Sequence, residues 1–239
     1  MADVNLDDIK ALYVQERGYW RPWNDVLLQQ RPAFLQAYAR YAGYPASKGV
    51  LSERIVELVY VALDSSATHL FPTGLKLHMQ KALAAGASAA DIIDVLTQVC
   101  LQGATAAVDA MAEVADVYGA VPDTDTPDRA DLAAALPLPA SLLARLAPLD
   151  PPYFEHVLHL AQTTERSEGL NAQERCLINI ALHACFTGVQ RSALRASVAQ
   201  AHALGVANDA VVQVIQMGAH LAVHGTALGA TTLAELAGA

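Results

Sequence analysis

Glu57, His69 and His78 are the residues of this sequence whose types and spacing best suit chemistry, and the chemistry they suit is proton transfer. Glu57 lies inside the apolar run Ile55-Val56-Glu57-Leu58-Val59-Tyr60-Val61-Ala62-Leu63, whose flanks predict burial on most sides. A carboxylate buried without a partner shifts toward its neutral form, which is how a general acid is held ready near neutral pH. Pairing with an interior Arg or Lys would make it structural instead, and the run alone leaves both readings open. Twelve residues on, His69 follows Asp64-Ser65-Ser66-Ala67-Thr68 at the end of the helix, just before the breaker stretch Phe71-Pro72-Thr73-Gly74. His78 is expected to open the next helix, on an inward face shared with Leu75, Met79 and Ala82. One histidine on an apolar face is ordinarily a hydrogen-bonded core residue. Two histidines and a glutamate at adjoining helix ends favour a proton-relay site.

Other residues have weaker claims. His220 and His224 are four apart, a spacing that puts both on one helical face and suits metal ligands, but such pairs in Ala-rich helices are commonly packing residues. Glu57, His69 and His78 could themselves offer two imidazoles and a carboxylate to an iron or zinc ion. The reading adopted has no metal and no other cofactor. Tyr13, Tyr19, Trp20 and Trp23 form an aromatic cluster expected to pack, with an alternative in which Trp20 and Arg21 cap a pocket mouth and Arg21 attracts a substrate carboxylate. Cys100, Cys176 and Cys185 are an odd number with no close pair, which suits a reducing compartment, and all three are expected to be buried thiols.

The elements that must position these groups are helices. Alanine and leucine dominate, apolar residues recur at three- and four-residue spacings, and no alternating stretch is flanked by hairpin turns, so the fold class is all-α. Of the 239 residues, 54% are hydrophobic and only 16% charged, so much helical surface should be covered by other helices or other subunits. A homo-oligomer, trimer or dimer, is expected. A net charge of −9 with no basic stripe argues against a nucleic-acid partner. Apolar runs are too short to span a membrane, and the acidic start of the chain does not resemble a secretory signal, so a cytoplasmic location is expected.

The chain also repeats itself at an offset of about 120 residues. Arg31-Pro32-Ala33-Phe34 lines up with Pro151-Pro152-Tyr153-Phe154, Leu51-Ser52-Glu53-Arg54 with the stretch ending Gln173-Glu174-Arg175, and Leu83 to Ala87 with His202 to Val206. Gly86 and Gly205 are placed to end helices in left-handed caps, with Ser88 and Asn208 capping the helices that follow. The organisation read from this is an N-terminal helical extension over 1–30 and a first repeat over 31–120. A Pro- and Ala-rich connection with a short helical stretch follows over 121–149, then a second repeat over 150–239, the two repeats packing as an intrachain pseudo-dimer. In that register Ile178 stands at the Glu57 position and Ser197 at the His78 position, and two residues are missing between them.

With these residues in view, Glu57 to Leu70, Gly74 to Ala87 and Asp91 to Leu96 resemble the carboxymuconolactone decarboxylase and alkylhydroperoxidase superfamily. The resemblance covers most of 32–119 strongly and about 151–236 weakly. It implies that Glu57 and His78, the latter eight residues before Gly86, are site residues. Hydroperoxidase members carry a Cys-x-x-Cys dithiol between these two, and here its positions hold His69 and Pro72, with about two residues inserted before His78. Thiolate chemistry is therefore disfavoured, and an acid/base role for Glu57, His69 and His78 is expected. The second repeat should be a structural partner, apart from His224, which the resemblance makes a candidate to reach the first-repeat site and bind substrate. The expected function is a lyase-like enzyme decarboxylating, or performing a related lyase or isomerase step on, a small carboxylated or keto molecule. The alternatives are hydroperoxide or redox activity and a catalytically silent binding or assembly module.

Overall fold

The computed structural model describes residues 5–119, 136–164 and 169–237, and every regular element among them is helical. The chain divides into two compact units, residues 1–50 with 219–239 and residues 51–218. No described helix is long and apolar enough to cross a membrane.

The first unit is built from α1 (Leu6–Arg17), α2 (Pro22–Gln30), α3 (Pro32–Ser47) and α12 (Val223–Ala237). Asn5 caps α1 by accepting the Asp7 N–H at 3.0 Å, and α2 and α3 each open on a proline, whose missing N–H costs nothing in a first turn. Ile9, Tyr13, Trp23, Leu35, Val223 and Ala230 lie in its core. Gly43 lets α3 lie close against α1: a Cβ there would sit 2.9 Å from the Glu16 carbonyl oxygen.

The second unit contains α4 (Glu53–Ser65), α5 (Pro72–Ala84), α6 (Ala89–Tyr118), α7 (Ala140–Leu146), α8 (Pro151–Thr163), α9 (Ala172–Ala184), α10 (Arg191–Ala203) and α11 (Asn208–Ala219), the last ending at the unit boundary. Helix α4 packs on α5, α6 and α9, and α9 packs on α10. Leu101 and Val108 of α6 join Leu143, Leu146, Phe154 and Val157 in one apolar core. Two ionic ties cross the unit. Arg54 lies 2.9 Å from Asp91 and 2.6 Å from Glu174, and Arg175 lies 2.6 Å from Asp94.

Helices α3, α4, α5 and α6 start at 32, 53, 72 and 89, and α8, α9, α10 and α11 start at 151, 172, 191 and 208, each 119 residues later. This corrects the register read from Glu-Arg pairs. The N-caps Ser52 and Asn171 correspond, so Cys176 rather than Ile178 stands at the Glu57 position, while Ser197 does stand at the His78 position. No residues are missing either, since α4 and α9 both have 13 residues and each is followed by a six-residue connection, 66–71 or 185–190. Compactness does not follow the sequence repeats, because α4 to α6 share a unit with α8 to α11 while α3 lies in the other.

Several local expectations hold and others shift. Gly86 and Gly205 are left-handed, at φ 93° and 74°. Ser88 caps α6 in a reciprocal box with Asp91, whereas Asn208 is the first residue of α11 rather than its cap. Helix α5 begins at Pro72, so His78 is in mid-helix and does not open it; the proline initiates rather than breaks. Cys176 and Cys185 are buried, but Cys100 is exposed, because α6 turns Leu101 and Gln98 inward instead. The Ala-rich stretch around residue 130 lies outside the described residues, and α7 is the helix seen in the latter part of that connection.

Candidate active site

Helix α4 is buried from Ile55 to Asp64, and the Ser52 side chain caps its start by accepting the Ile55 N–H. Glu57, Tyr60 and Asp64 fall three and four residues apart, one above the other on a single face. After Ser65 the chain turns through residues 66–71, where the Phe71 N–H donates to the Asp64 carbonyl at 2.9 Å and Leu70 is forced to φ 44°. Helix α5 then lies beside α4 and brings His78 to Glu57. Gly74 makes this approach possible. A Cβ at that position would overlap Asp64 Oδ2 and the Phe71 ring.

His78 Nδ1 is 2.6 Å from Glu57 Oε2, and the imidazole lies over the Tyr60 ring at a centroid distance of 4.6 Å. Lys81 Nζ is 3.6 Å from the other oxygen of Glu57, so the buried glutamate sits between two nitrogen groups on α5. The remaining nitrogen of His78, Nε2, lies 4.0 Å from Asp64 Oδ2, and Asp64 Oδ1 lies 3.7 Å from His69 Nε2. The order in space is therefore Lys81, Glu57, His78, Asp64, His69. Burial, and secondarily the charge of Glu57, pushes the Asp64 carboxyl up to about 7. Burial also holds the His69 imidazole below its ordinary value.

This arrangement favours proton movement. A glutamate accepting from Nδ1–H fixes the tautomer of His78 and leaves Nε2 as the reactive nitrogen. Asp64 faces Nε2 as an acid able to hold a proton near neutrality. The distances of 3.7 and 4.0 Å exceed direct hydrogen bonding, so Asp64, whose Oδ1 has no hydrogen-bond partner among the described residues, and His78 Nε2 keep capacity for the atoms of a bound molecule.

Glu57 and His78 are brought together, and His69 joins them through Asp64 rather than directly. Glu57, His69 and His78 do not gather three ligand atoms within 4.8 Å of one another, so the alternative of one ion held by those three does not fit their geometry. The sequence reading missed Asp64, which it treated as part of the link to His69. Its signal was available: an acid seven residues after Glu57 lies on the same helical face, at the end of an otherwise apolar run.

His224, Arg21 and Trp20 belong to the first unit. His224 is half-buried in the first turn of α12, and a 3-10 turn at His220–Ala222 separates it from His220, so the two do not share one continuous helix. Trp20 packs edge-on against Tyr13, lies under Lys10 at 5.0 Å and donates its indole N–H to Asp25 at 3.0 Å. Arg21 is exposed and lies over the Tyr19 ring at 5.4 Å.

The model of the carboxymuconolactone decarboxylase family matches residues 32–117, which include Glu57, Asp64, His69 and His78. A crystal structure from Burkholderia xenovorans, of a protein provisionally named a gamma-carboxymuconolactone decarboxylase subunit, is 23% identical, with a TM-score of 0.82 over 98% of this chain and 97% of that one. At that identity the likeness is one of fold. No curated protein matches the chain.

Proposed function

We propose that the chain, whose residues 32–117 match the model of the carboxymuconolactone decarboxylase family, is a lyase-like enzyme removing carbon dioxide from a small carboxylated or keto molecule. The observation that carries this reading is the His78 imidazole held between two carboxylates, 2.6 Å from Glu57 and 4.0 Å from Asp64. As the bond to the departing carboxylate breaks, its electron pair stays on the substrate as an enolate, and carbon dioxide leaves. The enolate carbon then takes a proton from Asp64 or from His78 Nε2, while Glu57 on Nδ1 stabilises the positive imidazolium between turnovers. His69 then relays a proton from solvent to Asp64, replacing the one delivered to carbon. A dithiol peroxidase reading lacks its residues, since His69 and Pro72 stand where the two thiols would be.

The two repeats act as one intrachain pseudo-dimer in this proposal, with the acid/base set in the first. Equal helix offsets support the pairing, as does the 3.0 Å hydrogen bond between Thr68 and Thr187, residues 119 apart that meet each other. The chain works as a cytoplasmic homo-oligomer, dimer or trimer, and His224 with Arg21 and Trp20 remain candidates for substrate binding.

The test starts from γ-carboxymuconolactone, for which the family and the Burkholderia protein are named, with a panel of small β-keto acids, and measures carbon dioxide release. Replacing His78 or Glu57 by Gln lowers kcat by about 100-fold or more if the pair moves protons. Turnover that survives both substitutions removes the acid/base reading.

A further inference from the structure

A cavity lies in the half of the second unit that lacks the glutamate and histidine pair. It encloses about 90 Å³ and is lined by Gln98, Arg175, Cys176, Asn179, His183 and Gln200, among others. By helix position, Cys176, Asn179, His183 and Gln200 of α9 and α10 are the counterparts of Glu57, Tyr60, Asp64 and Lys81 of α4 and α5, each 119 residues later. The Cys176 thiol donates to the Ser197 backbone carbonyl at 3.0 Å, whereas at the corresponding positions of the first site the Glu57 and His78 side chains meet each other. The same backbone scaffold thus surrounds both places with different side chains.

The polar groups of this cavity are incompletely used. His183 is 2% exposed and Gln98 5% exposed; among the described residues Gln98 Oε1 has no hydrogen-bond partner, and the His183 ring has no neighbour for its two nitrogens beyond the Gln190 side chain. A buried polar atom left without a partner is destabilising, so Gln98 Oε1 and the remaining ring nitrogen of His183 at one cavity call for a complementary group. A neutral imidazole supplies one N–H donor and one acceptor nitrogen, and Gln98 Oε1 supplies another acceptor.

The charge of the lining decides which group. Burial lowers the His183 pKa to about 4, with Gln190 and Asp109 pulling the other way, so the ring is neutral at physiological pH. Arg175 is neutralised by Asp94 at 2.6 Å and also donates to the Leu170 and Thr164 carbonyls. Cys176 is pushed up to about 11 by burial and stays a thiol, so it offers no nucleophile.

From this we infer that the second half holds a separate, non-catalytic binding site for a small neutral molecule bearing both a hydrogen-bond donor and an acceptor, of the amide class. The volume admits a ligand of a few heavy atoms, larger than one water and far smaller than a nucleotide. The site does not depend on the acid/base reading of Glu57 and His78.

Acetamide is the probe, with acetate as its charged isostere, followed by saturation-transfer NMR on the full chain. The expected result is saturation of acetamide and at least tenfold less of acetate, lost in both Gln98→Leu and His183→Leu and unchanged in His78→Gln, with helicity of each variant checked by circular dichroism. Two substitutions on different helices guard against one that fails to fold. Equal signals from acetate and acetamide, or acetamide binding that survives Gln98→Leu, would overturn the inference. So would an acetamide-soaked crystal in which the cavity holds ordered water only.

Discussion

The Asp64 side chain is 1% exposed, and its carboxyl is pushed from an ordinary 3.8 to about 7 by burial first and Glu57 second. Its unfolded form ionises near 3.8, whereas the folded form keeps its proton to about 7. The stability this group contributes is therefore complete below pH 3.8 and is lost as pH rises through 7, a change of up to about 4 kcal/mol. Asp64→Asn removes that loss, so urea denaturation from pH 5 to 8 should show the variant gaining on the parent as pH rises; a constant difference refutes the assignment. His183 has the opposite sign. Its folded pKa of about 4 lies below the ordinary 6.5, so its contribution is present above 6.5 and is lost as pH falls toward 4. His183→Leu should flatten the acid side of the same stability profile, and an unchanged slope between pH 6.5 and 4 excludes His183 as its source. At this scale Glu57 and His78 could be read from residue type and burial pattern, because a charge inside an apolar run demands a partner. The order within the set could not, because His69 reaches His78 only by way of Asp64, which the turn at 66–71 sets between them.

At the scale of elements, Gly74 and Asp94 are two positions where helix packing depends on a single residue. Gly to Ala in a helix is ordinarily stabilising by about 0.5–1 kcal/mol. At Gly74 the added Cβ meets Asp64 and Phe71, so Gly74→Ala should destabilise by about 1–3 kcal/mol and weaken any activity of the neighbouring site. Thermal melting of the variant decides, and a raised Tm would show that α5 has room to spare. Asp94 is 1% exposed, accepts the Leu170 N–H at 3.1 Å and pairs with Arg175. Removing it leaves a cation without its partner, and Asp94→Ala should cost about 3–5 kcal/mol in urea unfolding. A loss below about 1 kcal/mol would mean that Arg175 is held by the Thr164 and Leu170 carbonyls alone. Caps and prolines made many helix boundaries readable in advance. The start of α5 was not, because Pro72 and Gly74 read as breakers until the packing of Gly74 against Asp64 is seen.

For the whole molecule the open question is assembly. Helix α12 exposes Leu228, Leu233 and Leu236 at 70, 59 and 72%, and α6 exposes Val117 and Tyr118 at 78 and 85%. Side chains of that size facing water mark surfaces suited to association. Light scattering should return two or three times the 25.3 kDa of one chain, and a monomer at micromolar concentration would refute the oligomer.

The helical class, the two series of helices and the Glu57 and His78 pair were already present in the sequence, because periodicity, caps and a buried charge are local signals carried by neighbouring residues. The register of the second series was not, since Glu174-Arg175 imitates Glu53-Arg54 two residues out of phase and only the N-caps Ser52 and Asn171 settle it. Tertiary structure alone decided that Asp64 faces His78, that Cys100 points to solvent, and that Gln98 and His183 share a cavity. Each of these depends on which faces of different helices meet, and that is set by packing across the unit rather than by any one stretch of chain.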